Sequence, residues 1–213
     1  IGPGSSLTVS SMMTVIRTIT ARLTPRSITP LLTSRALPAS GTSAAVLDLG
    51  CSVGRLMLVA ALCFPLAIAS EVIGIDCSQR VAALTPLFIQ QATHSVRELS
   101  AQPILPTRVV CADFCSVSSP TTRFIASNRP SILLHFVGVS DDVSTAIKLF
   151  SAVLRGPSDA LGDPKLLATT DGVVAKFVMT DPLSCERWTL TDTVPVFLNV
   201  SNEEHVMRVF KRV

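Results

Sequence analysis

The sequence predicts an α/β fold, a three-layer α/β/α sandwich around a mostly parallel sheet that ends in a C-terminal antiparallel hairpin. Three observations predict it. Strand-like and helix-like apolar segments alternate from Ala44 onward, the pattern of a sheet covered on both faces. A glycine turn, Gly50 to Gly54, joins the first strand to the first helix, and the tail reads as two strands separated by Ser201-Asn202-Glu203-Glu204, a polar turn that pairs them antiparallel. At 213 residues with 48% hydrophobic content, the chain has the length and apolar share of one domain with a substantial core.

Residues 1–43 stand apart as an arm rich in Arg, Ser and Thr ahead of a domain at 44–213. Met13, Ile16, Ile19 and Leu23 recur at near-helical spacing and predict a helix packed before the first strand. An Arg-rich, acid-free segment of this composition is also similar to a mitochondrial transit peptide or a disordered arm. The sequence does not begin with Met and so reads as a fragment or as carrying foreign residues at its start.

From there the elements follow in order: strand Ala44–Leu49, helix Val53–Phe64, strand Glu71–Ile75, helix Ser78–Leu99, strand Thr107–Cys111, strand Ser131–Val137, helix Asp142–Leu154, strand Val173–Met179, and the tail strands Val194–Val200 and His205–Arg212. Pro86 falls inside the second helix, where it removes an amide donor and predicts a kink or restart. Gly156-Pro157 and Asp163-Pro164 mark Arg155 to Asp171 as a long surface loop. Leu56 to Ala69 is the longest uncharged apolar stretch, but its fourteen residues include Pro65 and are too few to cross a bilayer as a helix. It reads as a buried helix and a loop, and no membrane partner is expected.

Charge narrows the partners. The net charge is +3, yet Arg17, Arg22, Arg26 and Arg35 lie in residues 1–47, which contain no acid, so the remaining fourteen bases face all fifteen acids. A near-neutral body argues against a broad nucleic-acid face, which needs clustered Lys and Arg, while leaving room for RNA held locally. The six cysteines are scattered without a C-x-x-C pair and the three histidines lie far from them in sequence. They give no zinc spacing and read as reduced, mostly buried thiols of an intracellular protein, cytoplasmic, nuclear or mitochondrial. No metal is expected.

The chemistry centres on Asp48-Leu49-Gly50-Cys51-Ser52-Val53-Gly54. Gly50 admits backbone angles closed to side chains, and amides at the helix start would face a bound molecule of nucleotide type. Asp76 follows 28 positions later at the tip of the next strand, where a carboxylate can accept both hydroxyls of a ribose. Nicotinamide dehydrogenases use a related turn with three glycines, G-x-G-x-x-G. Here the turn is D-x-G-x-S-x-G.

That turn resembles motif I of class I S-adenosylmethionine-dependent methyltransferases. The resemblance implies the seven-stranded order 3-2-1-4-5-7-6 and S-adenosylmethionine as cofactor. It further implies a binding set of Asp48, Gly50, Cys51, Ser52, Gly54, Asp76 and Cys77, with Asp113 for the adenine amine and Phe114 on the ring face. Ser52 replaces the middle glycine of the family pattern. The methyl acceptor would sit past the fourth strand, where His135 is the candidate base or orienting group and Phe136 a lining residue. Many enzymes that methylate exocyclic amines have an (N/D)-P-P-(Y/F/W) motif there; this chain has none. Asp48-Leu49-Gly50, Ala112-Asp113-Phe114, Trp188-Thr189 and Pro195-Val196-Phe197 also resemble histone lysine methyltransferases of the disruptor-of-telomeric-silencing type, which implies a protein lysine acceptor. His135-Phe136-Val137 departs from the Asn-Asn-Phe of that group, leaving RNA, small-molecule and non-catalytic binding roles as alternatives.

Overall fold

The computed structural model describes residues 7–23, 45–66, 68–99, 103–112, 130–136, 164–198 and 204–213. Its elements are α1 (Val9–Leu23), β1 (Ala45–Leu49), α2 (Arg55–Cys63), β2 (Glu71–Asp76), α3 (Gln79–Leu99), β3 (Thr107–Cys111), β4 (Pro130–His135), β5 (Leu166–Thr169), α4 (Gly172–Thr180), α5 (Pro182–Cys185), β6 (Trp188–Phe197) and β7 (Glu204–Arg212). The strands form one seven-stranded sheet in the order β3-β2-β1-β4-β5-β7-β6. Pairs β2–β3, β1–β2, β1–β4 and β4–β5 are parallel, while β7 runs antiparallel to both β5 and β6.

Strand periodicity divides the core between two layers. Along β1, Val46 points into a cluster with Met12, Ile16 and Ile19 of α1, Met57 and Ala60 of α2, and Ile89 of α3. Its neighbours Ala45, Leu47 and Leu49 point the other way, against Val174, Ala175 and Val178 of α4 and against Trp188 and Phe210. Alternate side chains of a strand face opposite sides, so a strand buried on both sides is apolar throughout, as β1 is except for Asp48. The predicted arm helix is α1, whose Met12, Val15, Ile16 and Ile19 are buried. Pro86 lies inside α3, which runs unbroken from Gln79 to Leu99. No helix among the described residues is long and apolar enough to cross a membrane.

Four expectations are corrected. Val173–Met179 is not a strand: it lies within α4, because Asp171 caps that helix by accepting the amides of Val173 (2.7 Å) and Val174 (3.0 Å) through Oδ1. Residues Val174, Ala175 and Val178 then form its buried stripe. The fifth strand is Leu166–Thr169, inside the stretch expected to be a loop; all four of its residues are buried, so it lacks the alternation that would have marked it. The first tail strand starts earlier, at Trp188, and contains a bulge between Leu190 and Asp192. Among the described cysteines only Cys51 is buried, while Cys63, Cys77, Cys111 and Cys185 are exposed, because four of the five stand at element ends or on outward faces. The predicted helix Asp142–Leu154 lies outside the described residues.

Candidate cofactor-binding edge

The parallel register brings the chemistry-bearing residues to one edge. Leu49 is opposite both Ile75 and His135, and His135 is opposite Thr169. The residues just beyond them, Gly50, Asp76, Phe136 and Thr170, therefore share the carboxyl edge of the sheet, the usual place for ligands in open α/β sheets.

The bend after β1 is tightly specified. Gly50 and Gly54 have φ of 74° and 76°, and Ser52 has φ of 48°, a left-handed conformation that costs a residue with a side chain about 1–2 kcal/mol. Hydrogen bonds hold the bend in this shape. The amides of Gly50 and Cys51 donate to the Ile75 carbonyl at 2.8 and 3.0 Å, and Gly54 N–H donates to the Cys51 carbonyl at 2.9 Å. Ser52 N–H donates to Asp76 Oδ2 at 3.0 Å, and the Thr85 hydroxyl of α3 donates to the Ser52 carbonyl at 2.8 Å. Two glycines make this closeness possible. A Cβ on Gly54 would stand 2.6 Å from Thr85 Cγ2, and one on Gly74 of β2 would stand 2.7 Å from Cys51 Sγ and overlap Met57 Sδ. The missing side chain of Gly54 thus makes room for α3, and that of Gly74 lets the bend and α2 close onto β2.

Among the described residues Asp48 is the one acid in the core beneath this bend. Its carboxyl is 2% exposed, and Oδ2 has no hydrogen-bond partner among the described residues. Burial, with a smaller contribution from the charge of Asp76, raises its pKa to about 7. A buried carboxyl with an open acceptor position suits a cationic group. Asp76 accepts Ser52 N–H through Oδ2 and Ser78 N–H at 2.9 Å through Oδ1, so one carboxylate ties the bend to the start of α3. Each oxygen has a second lone pair for a ligand hydroxyl. Cys51 lies under the bend, its thiol pushed upward in pKa by burial and then by Asp48 and Asp76. Cys77 is exposed, and the Cys111 thiol lies 3.8 Å from the Cys77 carbonyl.

His135 lies two strands from Asp76, completely buried. Its Nδ1 is 3.0 Å from Thr169 Oγ1, and that hydroxyl also accepts Asp171 N–H at 3.0 Å. Burial lowers its pKa to about 4 against a smaller opposing effect of Asp171, so the imidazole is neutral near pH 7. Asp113 and Phe114 lie outside the described residues; Ala112, just before them, donates its amide to the Asp76 carbonyl at 2.9 Å. The structure thus brings Asp48, Gly50, Cys51, Ser52, Asp76 and Cys77 to a single bend, with His135 alongside. Sequence reasoning missed Gly74, Thr85, Thr169 and Asp171, the residues that hold this arrangement. Only Asp171, followed by Gly172 and an apolar run, had a local signal, that of a helix cap. No metal-type grouping of His, Cys, Asp and Glu occurs among the described residues.

No protein-family model matches the sequence, and no curated protein sequence is similar to it. Solved structures do share its architecture. The N-methyltransferase NodS from Bradyrhizobium japonicum, in complex with S-adenosyl-L-homocysteine, aligns with a TM-score of 0.52 at 12% identity over 95% of this chain and 98% of its own. Streptococcus pneumoniae Sp1610, a candidate tRNA (m1A22) methyltransferase, aligns with a TM-score of 0.51 at 8% identity over 89% and 71%. M. capricolum TrmK, also in complex with S-adenosyl-homocysteine, gives 0.50 at 6% over 89% and 69%. The chain has the seven-stranded, Rossmann-like fold of class I methyltransferases.

Proposed function

We propose that the protein is an S-adenosylmethionine-dependent methyltransferase whose cofactor lies along the carboxyl edge of β1, β2 and β3. One observation above all supports this reading: Asp48 Oδ2, buried and open, lies beneath a left-handed bend that Asp76 pins from the neighbouring strand. A cofactor with a cationic amino-acid end and a ribose fits that pair. In this reading Asp48 faces the methionine ammonium, directly or through water, and the backbone of Gly50, Cys51 and Ser52 wraps the methionine and ribose. Gly54 keeps the turn close to α3, Asp76 accepts the ribose hydroxyls, and Cys77, Asp113 and Phe114 border the adenine. When bound, the cofactor supplies an electrophilic methyl group on a sulfonium.

The task left to the chain is to hold an acceptor atom in line with that methyl group, which is mainly positioning. His135 is suited to positioning: neutral and buried, it links the carboxyl ends of β4 and β5 through Thr169, and Asp171 extends the link to the start of α4. As acceptor we favour RNA over protein lysine. The lysine reading draws on Trp188-Thr189 and Pro195-Val196-Phe197, and these lie on β6, at the far side of the sheet from the bend, with Trp188 in the core. RNA is supported by the architecture shared with the candidate tRNA methyltransferase, and the missing amine-gripping motif speaks against an exocyclic amine.

Calorimetry with S-adenosylmethionine and S-adenosyl-homocysteine tests the cofactor: wild type should bind both and Asp76→Ala neither. Transfer of radiolabelled methyl groups into fractionated cell extract then identifies the acceptor, expected in the RNA fraction. No binding by the wild-type chain ends the enzymatic reading, and label confined to protein ends the RNA one.

A further inference from the structure

The opposite edge of the sheet gathers charge that the sequence scatters. A cavity of about 340 Å³ is lined by Arg22 and Leu23 from the end of α1, Lys165 just before β5, and Lys211, Arg212 and Val213 at the end of β7. It is at the low end of the volumes typical of ligand sites. Because β7 is antiparallel to β5, its end meets the start of β5 at the amino edge, away from the bend. The four bases come from three segments, with 143 positions between Arg22 and Lys165 and 46 between Lys165 and Lys211, which is why no basic run announces them.

Their backbone frame is fixed. Lys165 N–H donates to the Ser131 carbonyl at 2.8 Å, Arg212 N–H to the Lys165 carbonyl at 3.0 Å, and Val213 N–H to the Arg187 carbonyl at 2.8 Å. Arg22 is oriented by Asp192, donating through Nε at 2.7 Å and Nη2 at 2.6 Å. Among the described residues no carboxylate forms an ion pair with Lys165 or Lys211. Asp192 thus offsets the charge of Arg22, and Lys165 and Lys211 leave the cavity cationic.

We propose that this cavity is a phosphate-binding site for the backbone of a single-stranded polynucleotide. The choice of a polyanion follows from exposure. Arg22, Lys165 and Lys211 are exposed, and an exposed cation gains at most about 1 kcal/mol from one partner charge. A lone phosphate would therefore be held weakly. A strand that presents successive phosphates engages several of these cations together and releases counterions as it does so. A recess, moreover, admits a phosphate that projects from a flexible strand, whereas the headgroup phosphodiesters of a bilayer lie in one plane.

Fluorescence anisotropy of the full chain with a short labelled single-stranded RNA, titrated between about 50 and 200 mM salt, tests the proposal. Wild type should bind, with log K falling linearly in log salt. The exposed pair Lys165→Gln with Lys211→Gln should weaken binding at low salt at least tenfold and reduce the slope by about 1.4, the release expected of two single-strand phosphate contacts. Lys165→Arg with Lys211→Arg should retain both. Lys176→Gln, an exposed residue of α4 outside the cavity, should bind as wild type does. The proposal falls if the double Gln variant keeps the wild-type slope or if Lys176→Gln loses as much. It falls equally if wild type binds inorganic phosphate or phosphatidylserine vesicles but no RNA. The assay contains no methyl donor, so its failure and the failure of methyl transfer are separate results.

Discussion

Asp76 Oδ2 accepts the Ser52 amide at 3.0 Å, so the acid proposed to receive a ribose also holds the bend that would surround it. Its other oxygen accepts Ser78 N–H at the start of α3. In Asp76→Asn one of these oxygens becomes an NH₂ group, which cannot accept from an amide. The variant should lose about 1–2 kcal/mol of stability, in the range of a part-exposed hydrogen bond to a charged group, and its Tm should fall by about 3–6 °C for a chain of this size. Paired thermal melts and calorimetry check it. Loss of S-adenosylmethionine binding with an unchanged Tm would mean that Asp76 serves only the ligand.

The pKa of Asp48, raised to about 7, makes cofactor affinity pH-dependent. Below that value the free protein holds Asp48 mainly protonated, and a cationic ligand must expel the proton to bind its carboxylate. The dissociation constant should therefore rise about tenfold per unit as pH falls from 7 to 5 and level off above about 8. Asp48→Asn should bind weakly at every pH, with the slope gone. Calorimetry across this range reads both; a flat wild-type profile would mean that Asp48 does not face the cofactor's ammonium.

Stability shows the opposite side of the same group. A carboxyl whose pKa rises on folding stabilises the native state below its unfolded value, near 3.8, and that contribution disappears as pH climbs to about 7. His135 works in the other direction: its pKa falls from 6.5 to about 4 on folding, so its contribution is complete above 6.5 and is lost as pH drops toward 4. Across pH 4 to 6.5 the two slopes, each up to about 1.4 kcal/mol per unit, oppose one another. Urea unfolding of the wild type should be nearly flat in this window, that of Asp48→Asn should rise with pH, and that of His135→Gln should fall. Parallel profiles for the two variants would refute the assignment of opposing slopes to Asp48 and His135.

The parts of this arrangement legible in the sequence are those whose cause is local. Gly50, Ser52 and Gly54 follow from a turn that needs left-handed backbone, and Asp76 from its position at a strand tip, so bend and acid could be located before any coordinates. The β5–α4 region was misread because β-branched Val173 and Val174 suit a strand as well as a helix, and the Asp171 cap decides between them. A four-residue strand buried on both faces has no period to read. What supports the bend was illegible for a different reason: Gly74 and Thr85 matter through contacts with residues 17 to 33 positions away, and a lone glycine or threonine does not announce such a partner. The cationic cavity is likewise a product of topology, since it exists only once β7 turns back beside β5.

Gly54 offers the sharpest test of that packing. Its φ of 76° is unfavourable to any side chain, and its buried position leaves a new methyl 2.6 Å from Thr85 Cγ2 and 2.9 Å from Ile89 Cδ1. For Gly54→Ala the left-handed backbone costs about 1–2 kcal/mol and overpacking about 1–3 kcal/mol, against a gain of under 1 kcal/mol from a less flexible unfolded chain. A net loss of about 2–4 kcal/mol is expected. Thr85→Ser removes the clashing methyl but retains the hydroxyl that donates to the Ser52 carbonyl. Combined with Gly54→Ala it should recover about 1 kcal/mol relative to the sum of the single changes, a coupling that denaturant unfolding of the four proteins measures. Strict additivity would place the strain in the backbone of the bend and leave α3 without a part in holding it.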